Sequence, residues 1–197
     1  MVSLKRYQLV FATANVHKIR EINEILIVTP VSVVSMADIG CTDDIPETQP
    51  TIQGNAIQKA EYLYHKYNVN CFSEDSGLEI DALNGAPGVH SAYYAGSRDA
   101  RQNINLVLNK LGRKRKRTAR FRTVIALILD GQQHLFEGVC EGTIRFEAVG
   151  TSGFGYDPIF QPNGFDKTFA ELPIEVKNSI SHRGKAVQQL YDFLQSL

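Results

Sequence analysis

Apolar residues recur along this chain with two different periods, and the switch between them marks out its elements. A β-rich run at residues 7–12 (YQLVFA) stops at Thr13 and reads as a buried strand. Directly after it, Ile19, Ile22, Ile25 and Leu26 fall at three- and four-residue spacing, which predicts a helix over 18–26. A short strand follows at 31–34, then an acidic, proline-containing loop at 38–50. Ala56, Ala60, Leu63, Tyr64 and Tyr67 line one face of a helix predicted over 55–67. A strand at 69–72 then runs into Ser73-Glu74-Asp75-Ser76-Gly77, read as the polar turn at its carboxyl end.

The later half repeats these rhythms. Turn formers at 84–88 (NGAPG) precede a helix at 100–111. Strands at 121–129 and 134–139 flank Asp130-Gly131, a hairpin signal, and 144–146 reads as a third strand. A glycine-rich loop covers 150–158, and Ser181 is positioned to cap a closing helix over 181–197. Helices alternating with strands around a central hairpin predict an α/β fold with a mixed sheet. At 197 residues the chain fits one domain made of two intimate lobes.

Composition changes this picture in two places. Lys+Arg and Asp+Glu both total 21, and that balance argues against a protein that coats nucleic acid or an anionic membrane. The three cysteines, Cys41, Cys71 and Cys140, form no C-x-x-C pair. A disulfide framework or zinc site is therefore not expected, and a reducing, cytoplasmic setting is. The apolar stretch near the N-terminus is too short for a signal peptide or a membrane span.

Four constellations could carry chemistry. Thr13-Ala14-Asn15-Val16-His17-Lys18 joins a strand to a helix, where unpaired N–H groups and a partial positive charge suit phosphate. Asn15 and Lys18 would add donors, although the same residues also read as a plain helix cap. Glu74 and Asp75 offer hard oxygen ligands of the kind Mg²⁺ takes, or a base for water; a solvated turn is the plainer alternative. Glu47 is a second candidate ligand. Gly153-Phe154-Gly155-Tyr156-Asp157-Pro158 combines close backbone approach with two flat faces, Phe154 and Tyr156, that suit a base or simple packing. Lys177 with Ser181-His182-Arg183-Gly184-Lys185 gathers cations at a helix start, where the dipole disfavours them. The run Arg113-Lys114-Arg115-Lys116-Arg117 looks like a polyanion patch but reads better as a solvated connection between helix and strand.

Taken in order, these segments resemble the inosine triphosphate pyrophosphatase family, enzymes that clear non-standard purine nucleotides. The resemblance is carried by the 13–18 segment and by Glu74-Asp75-Ser76-Gly77-Leu78-Glu79-Ile80-Asp81-Ala82-Leu83-Asn84-Gly85-Ala86-Pro87-Gly88-Val89. It continues in Gly153-Phe154-Gly155-Tyr156-Asp157-Pro158-Ile159-Phe160 and Ser181-His182-Arg183-Gly184-Lys185-Ala186. The resemblance implies a two-lobed α/β fold, with a long twisted mixed sheet flanked by helices, a central cleft and a homodimer. It implies hydrolysis of ITP, dITP and XTP to the monophosphate and pyrophosphate with Mg²⁺, held by Glu47 and Asp75. Asp75 would accept the proton, Lys18 and the segment Thr13, Ala14, Asn15, Val16 and His17 would hold the triphosphate, and Ser76 would touch substrate. Phe154, Gly155, Tyr156 and Asp157 would form the base pocket, with Lys177, His182 and Arg183 completing it.

Against the commoner family pattern, Ala14 stands for glycine, Glu74 for aspartate, Gly54 for glutamate and Tyr93 for arginine. The rivals are a relative acting on modified pyrimidines, a nucleic-acid module using residues 113–117, and a nucleotide sensor without turnover. No specific nucleic acid or membrane partner is expected.

Overall fold

The structure is a computed structural model that describes residues 7–15, 17–19, 22 and 31–197. Among the described residues, six strands form one sheet: β1 (Tyr7–Phe11), β2 (Val31–Ser35), β3 (Cys71–Ile80), β4 (Thr118–Leu129), β5 (Gln132–Ile144) and β6 (Phe160–Pro162), in the order β2-β1-β3-β4-β5-β6. β1 runs parallel to both β2 and β3, whereas β6 is antiparallel to β5, so the sheet is mixed. β4 alternates in burial at its start and is then buried at every position from 123 to 129, the pattern of a strand covered on both faces. Asp130 and Gly131 both take positive φ in the two-residue connection to β5, as the hairpin signal requires.

Among the described residues, four helices with both ends on the page accompany the strands: α1 (Ile52–Tyr67), α2 (Ala100–Leu111), α3 (Ile174–Ile180) and α4 (His182–Gln195). Three of the four starts are closed by a side-chain cap. Thr51 Oγ1 accepts from the Gly54 N–H, Asp99 Oδ1 from Gln102 and Ser181 Oγ from Gly184. Of the helix predicted over 18–26, residues 18, 19 and 22 are helical, and the other positions lie outside the described residues.

The chain folds as two compact units. The first comprises Met1–Asp75, Val124–Glu137 and Ala186–Leu197; the second comprises Ser76–Thr123 and Gly138–Lys185. The first is built on Leu9, Phe11, Phe72, Ile125, Leu127 and Leu190, with Phe11 and Phe72 stacked 4.5 Å apart. Leu78, Ile80, Val107, Phe121, Phe160 and Phe169 form the core of the second.

Two strand predictions are corrected. The segment at 144–146 is no separate strand, because Ile144 ends β5, which runs unbroken through Gly138 and Gly142. A Cβ at Gly142 would collide with the Gln161 carbonyl on β6, so close strand approach explains this glycine. The strand predicted to end at Phe72 instead continues to Ile80.

Candidate active site

Within the first unit, the chain leaves β1 through a turn that caps itself. Thr13 Oγ1 accepts from the Asn15 N–H at 3.1 Å. Asn15 Oδ1 accepts from His17 and Lys18 N–H at 3.0 and 3.3 Å, so this carboxamide covers two of the donors a helix start leaves open. The capping alternative is therefore realised in the structure. Ala14 needs no glycine, since the positive-φ non-glycine residues described are Asn68, Asn84 and Asp130. Val16 lies outside the described residues.

The acidic pair is not at a strand end. Glu74 and Asp75 lie mid-strand in β3, which corrects their placement in a polar turn. Successive strand residues face opposite ways, and the two carboxylates find different lysines. Glu74 is wholly buried with its Oε1 3.3 Å from Lys18 Nζ. Asp75 has an oxygen 3.7 Å from Lys59 Nζ and accepts from Asn55 Nδ2 at 3.4 Å. Lys59 Nζ also reaches Glu47 Oε1 at 2.5 Å and the Glu74 carbonyl at 2.9 Å. Glu47 and Asp75 thus address one ammonium.

Asn55 and Lys59 escape a sequence reading that follows only apolar positions on this helix. The signal is present all the same: the buried stripe of α1 is Ile52, Asn55, Ala56, Lys59, Ala60 and Leu63. Two polar residues four apart inside that stripe, one of them a lysine, demand buried partners.

Burial pushes the Asp75 carboxyl above its ordinary value of 3.8. The Lys59 and Lys18 ammonium groups pull it down, the Glu47 charge pushes it further up and the Asn55 amide lowers it, but desolvation wins. This donor set fits a hard divalent cation. Two carboxylates already face one cationic atom, and one of them is buried at a cost that added positive charge would relieve.

In the second unit, Gly153 and Gly155 take φ of 76° and 60°, folding the aromatic loop tightly. Asp157 Oδ2 accepts from the Phe154 N–H at 2.9 Å and from Lys177 Nζ at 2.7 Å, in a pair whose side chains are 5% and 4% exposed. The Lys177 ammonium lies 5.2 Å and the Arg183 guanidinium 5.4 Å from the Phe154 ring centroid. Arg183 Nη2 also approaches Ser76 Oγ at 3.5 Å, and Ser76 shares a 2.7 Å hydrogen bond with Thr123. His182 is buried with its ring stacked on Phe121 at 4.6 Å.

Tyr156 does not present a flat face to a base, a second correction of the site. Its ring belongs to the core and its hydroxyl donates to the Ser91 carbonyl at 2.8 Å. The basic run is corrected too. Arg117 is buried and donates to the carbonyls of Ile144, Arg145, Gly112 and Lys114, while residues 113–116 are exposed. Tyr93 carries the Arg98 guanidinium 4.5 Å over its ring.

The structure therefore gathers Lys18, Glu47 and Asp75 in the first unit, and Ser76, Phe154, Asp157, Lys177 and Arg183 in the second. The sequence profile of the Ham1 family matches residues 9–193. The chain belongs to the Ham1 family. It is similar to the dITP/XTP pyrophosphatase of Flavobacterium johnsoniae, at 54% identity over 95% of this chain and 97% of that one. The Bacillus subtilis dITP/XTP pyrophosphatase is 45% identical over 95% of this chain and 96% of its own. Among solved structures, a Ham1 protein from Coxiella burnetii superposes with a TM-score of 0.90 at 38% identity, covering 97% of this chain and all of that one. The Staphylococcus aureus Ham1 protein gives 0.88 at 39% identity, covering 96% and 98%. The α/β fold with a mixed sheet is thus the Ham1 fold.

Proposed function

We infer that this chain hydrolyses non-standard purine nucleoside triphosphates, ITP, dITP and XTP, to the monophosphate and pyrophosphate. The observation that carries this reading is the convergence of Glu47 and Asp75 on the buried Lys59 ammonium, in a chain so similar to dITP/XTP pyrophosphatases. Lys18 and Lys59 offset the charge of the phosphates, which otherwise repels an attacking water. Asp75 orients that water and takes its proton. A carboxyl raised by burial is a stronger base than an exposed one, closer to what the step needs. Glu47 and Asp75 would hold Mg²⁺, which neutralises phosphate oxygens and brings ordered waters.

Base choice falls to the second unit. Phe154 offers a face for stacking, with Lys177 and Arg183 beside it, and Tyr156 supports the loop from the core. Hypoxanthine and xanthine accept at their C6 keto oxygen, whereas adenine donates there. Donors from Arg183 and His182 meet the first and clash electrostatically with the second. Leaving such groups unpaired can discriminate by about 10⁴–10⁵.

The protein would act as a homodimer in the cytoplasm, on free nucleotides rather than a specific nucleic acid. No helix among the described residues is long and apolar enough to cross a membrane. The test is pyrophosphate release from ITP, XTP, ATP, dUTP and TTP with and without Mg²⁺. Turnover of ITP and XTP only with the metal is expected; preference for dUTP or TTP, or binding of ITP without release, would overturn the reading.

A further inference from the structure

Glu47 and Asp75 reach the same ammonium from very different supports. Asp75 sits inside a ten-residue strand, while Glu47 is exposed on a stretch, residues 41–49, without regular structure. A metal ligand on such a loop must be held in place by something else.

The loop lies along α1, tied down at intervals. Asp43 Oδ2 accepts from Lys66 Nζ and the Tyr67 hydroxyl at 2.7 and 2.9 Å. Thr48 N–H donates to Gln58 Oε1, and Gln58 Nε2 returns a bond to Thr48 Oγ1, both at 2.9 Å. The last of these ties differs in kind. The Gln49 N–H donates to Asn55 Oδ1 at 2.8 Å, and the other end of the same carboxamide donates from Nδ2 to Asp75 Oδ2 at 3.4 Å. The orientation is dictated by the partners, because a backbone N–H can only donate and an ionised carboxylate can only accept. Asn55 is buried at 3% exposure, so it has no water alternative for either bond.

A second feature marks the same spot. A Cβ at Gly54 would stand 2.7 Å from the Gln49 Cβ, so the loop is seated on the helix at the residue whose N–H Asn55 holds. Any side chain at this position would push that contact apart.

We propose that Asn55 is a positioning residue that holds the Glu47 loop in register with Asp75, presenting the two carboxylates as one ligand pair. The two bonds together need a side chain that carries both an acceptor and a donor; aspartate keeps the acceptor, and alanine keeps neither. The role is distinct from that of Lys59, whose charge addresses the carboxylates directly. It rests on the reading of Glu47 and Asp75 as the Mg²⁺ ligands.

The test compares Asn55→Ala and Asn55→Asp with the parent protein. Backbone amide exchange over residues 44–51 is measured without metal, and Mg²⁺ binding is measured by calorimetry without nucleotide. Asn55→Ala is expected to speed exchange at Gln49 and to weaken Mg²⁺ by about 10-fold or more, the usual cost of losing a residue that orients a ligand. Turnover at saturating Mg²⁺ should recover most of its parental kcat, with the KM for ITP little changed. Asn55→Asp should keep Gln49 protected. Parental exchange and parental Mg²⁺ affinity in Asn55→Ala would overturn the proposal. If that variant does not fold, fast Gln49 exchange in a folded Asn55→Asp protein would overturn it instead. Glu47→Gln separates the two layers. Unchanged Mg²⁺ binding in that variant defeats the metal assignment itself, whereas weakened binding there beside normal binding in Asn55→Ala defeats only the role of Asn55.

Discussion

Replacing Lys177 with methionine tests the ion pair that shapes the aromatic loop. Lys177 Nζ stands 2.7 Å from Asp157 Oδ2, and the two side chains are 4% and 5% exposed. Removing one partner from a buried pair typically costs about 3–5 kcal/mol, because the surviving charge stays desolvated. Asp157 also accepts from the Phe154 N–H, which places the expected loss at the lower end, about 3 kcal/mol. Methionine keeps the apolar stem near Phe154 and Phe169, whose ring centroids lie 5.2 and 5.7 Å from the ammonium, so packing is largely preserved. For a chain of this size such a loss lowers Tm by roughly 6–12 °C.

Urea and thermal denaturation of Lys177→Met, Asp157→Asn and the double variant would measure it. The double variant should recover part of the loss, since asparagine leaves no buried charge behind. The loosened loop should also lower preference for ITP over ATP, because Phe154 hangs from the same carboxylate. A single variant within about 0.5 kcal/mol of the parent, or strictly additive singles, would refute the argument.

Asp75→Asn should abolish pyrophosphate release while making the metal-free protein more stable near neutrality. Burial raises the folded-state pKa of Asp75, so its contribution to stability is in place below the unfolded value of 3.8 and is lost as pH rises through the folded one. Denaturation of the metal-free pair from acid to neutral pH should show the parent losing ground to the variant; the opposite trend would sink the assignment of burial as cause. Arg117→Met should cost about 3 kcal/mol or more by urea denaturation, since four carbonyls lose their donor, whereas Lys116→Ala should stay within about 0.5 kcal/mol. Equal effects at the two positions would return Arg117 to the solvated run.

Local pattern determined a good deal of this protein. The helix at 100–111, the Asp130-Gly131 hairpin and the Ser181 cap are set by residues a few positions apart, and they appear in the structure where the sequence places them. Motif order alone pointed to the family. Tertiary structure decided which polar residues are buried. Glu74 and Asp75 look like a turn until Lys18, Lys59 and Asn55 arrive from elsewhere in the chain to let the strand continue. Arg117 looks solvated until the Ile144 carbonyl, 27 residues on, accepts from it. Asn55 and Lys59 look like ordinary helix polar residues until Asp75 and Glu47 face them. A buried polar group is tolerable only with a partner, and in this fold the partners lie well beyond the reach of any periodic pattern.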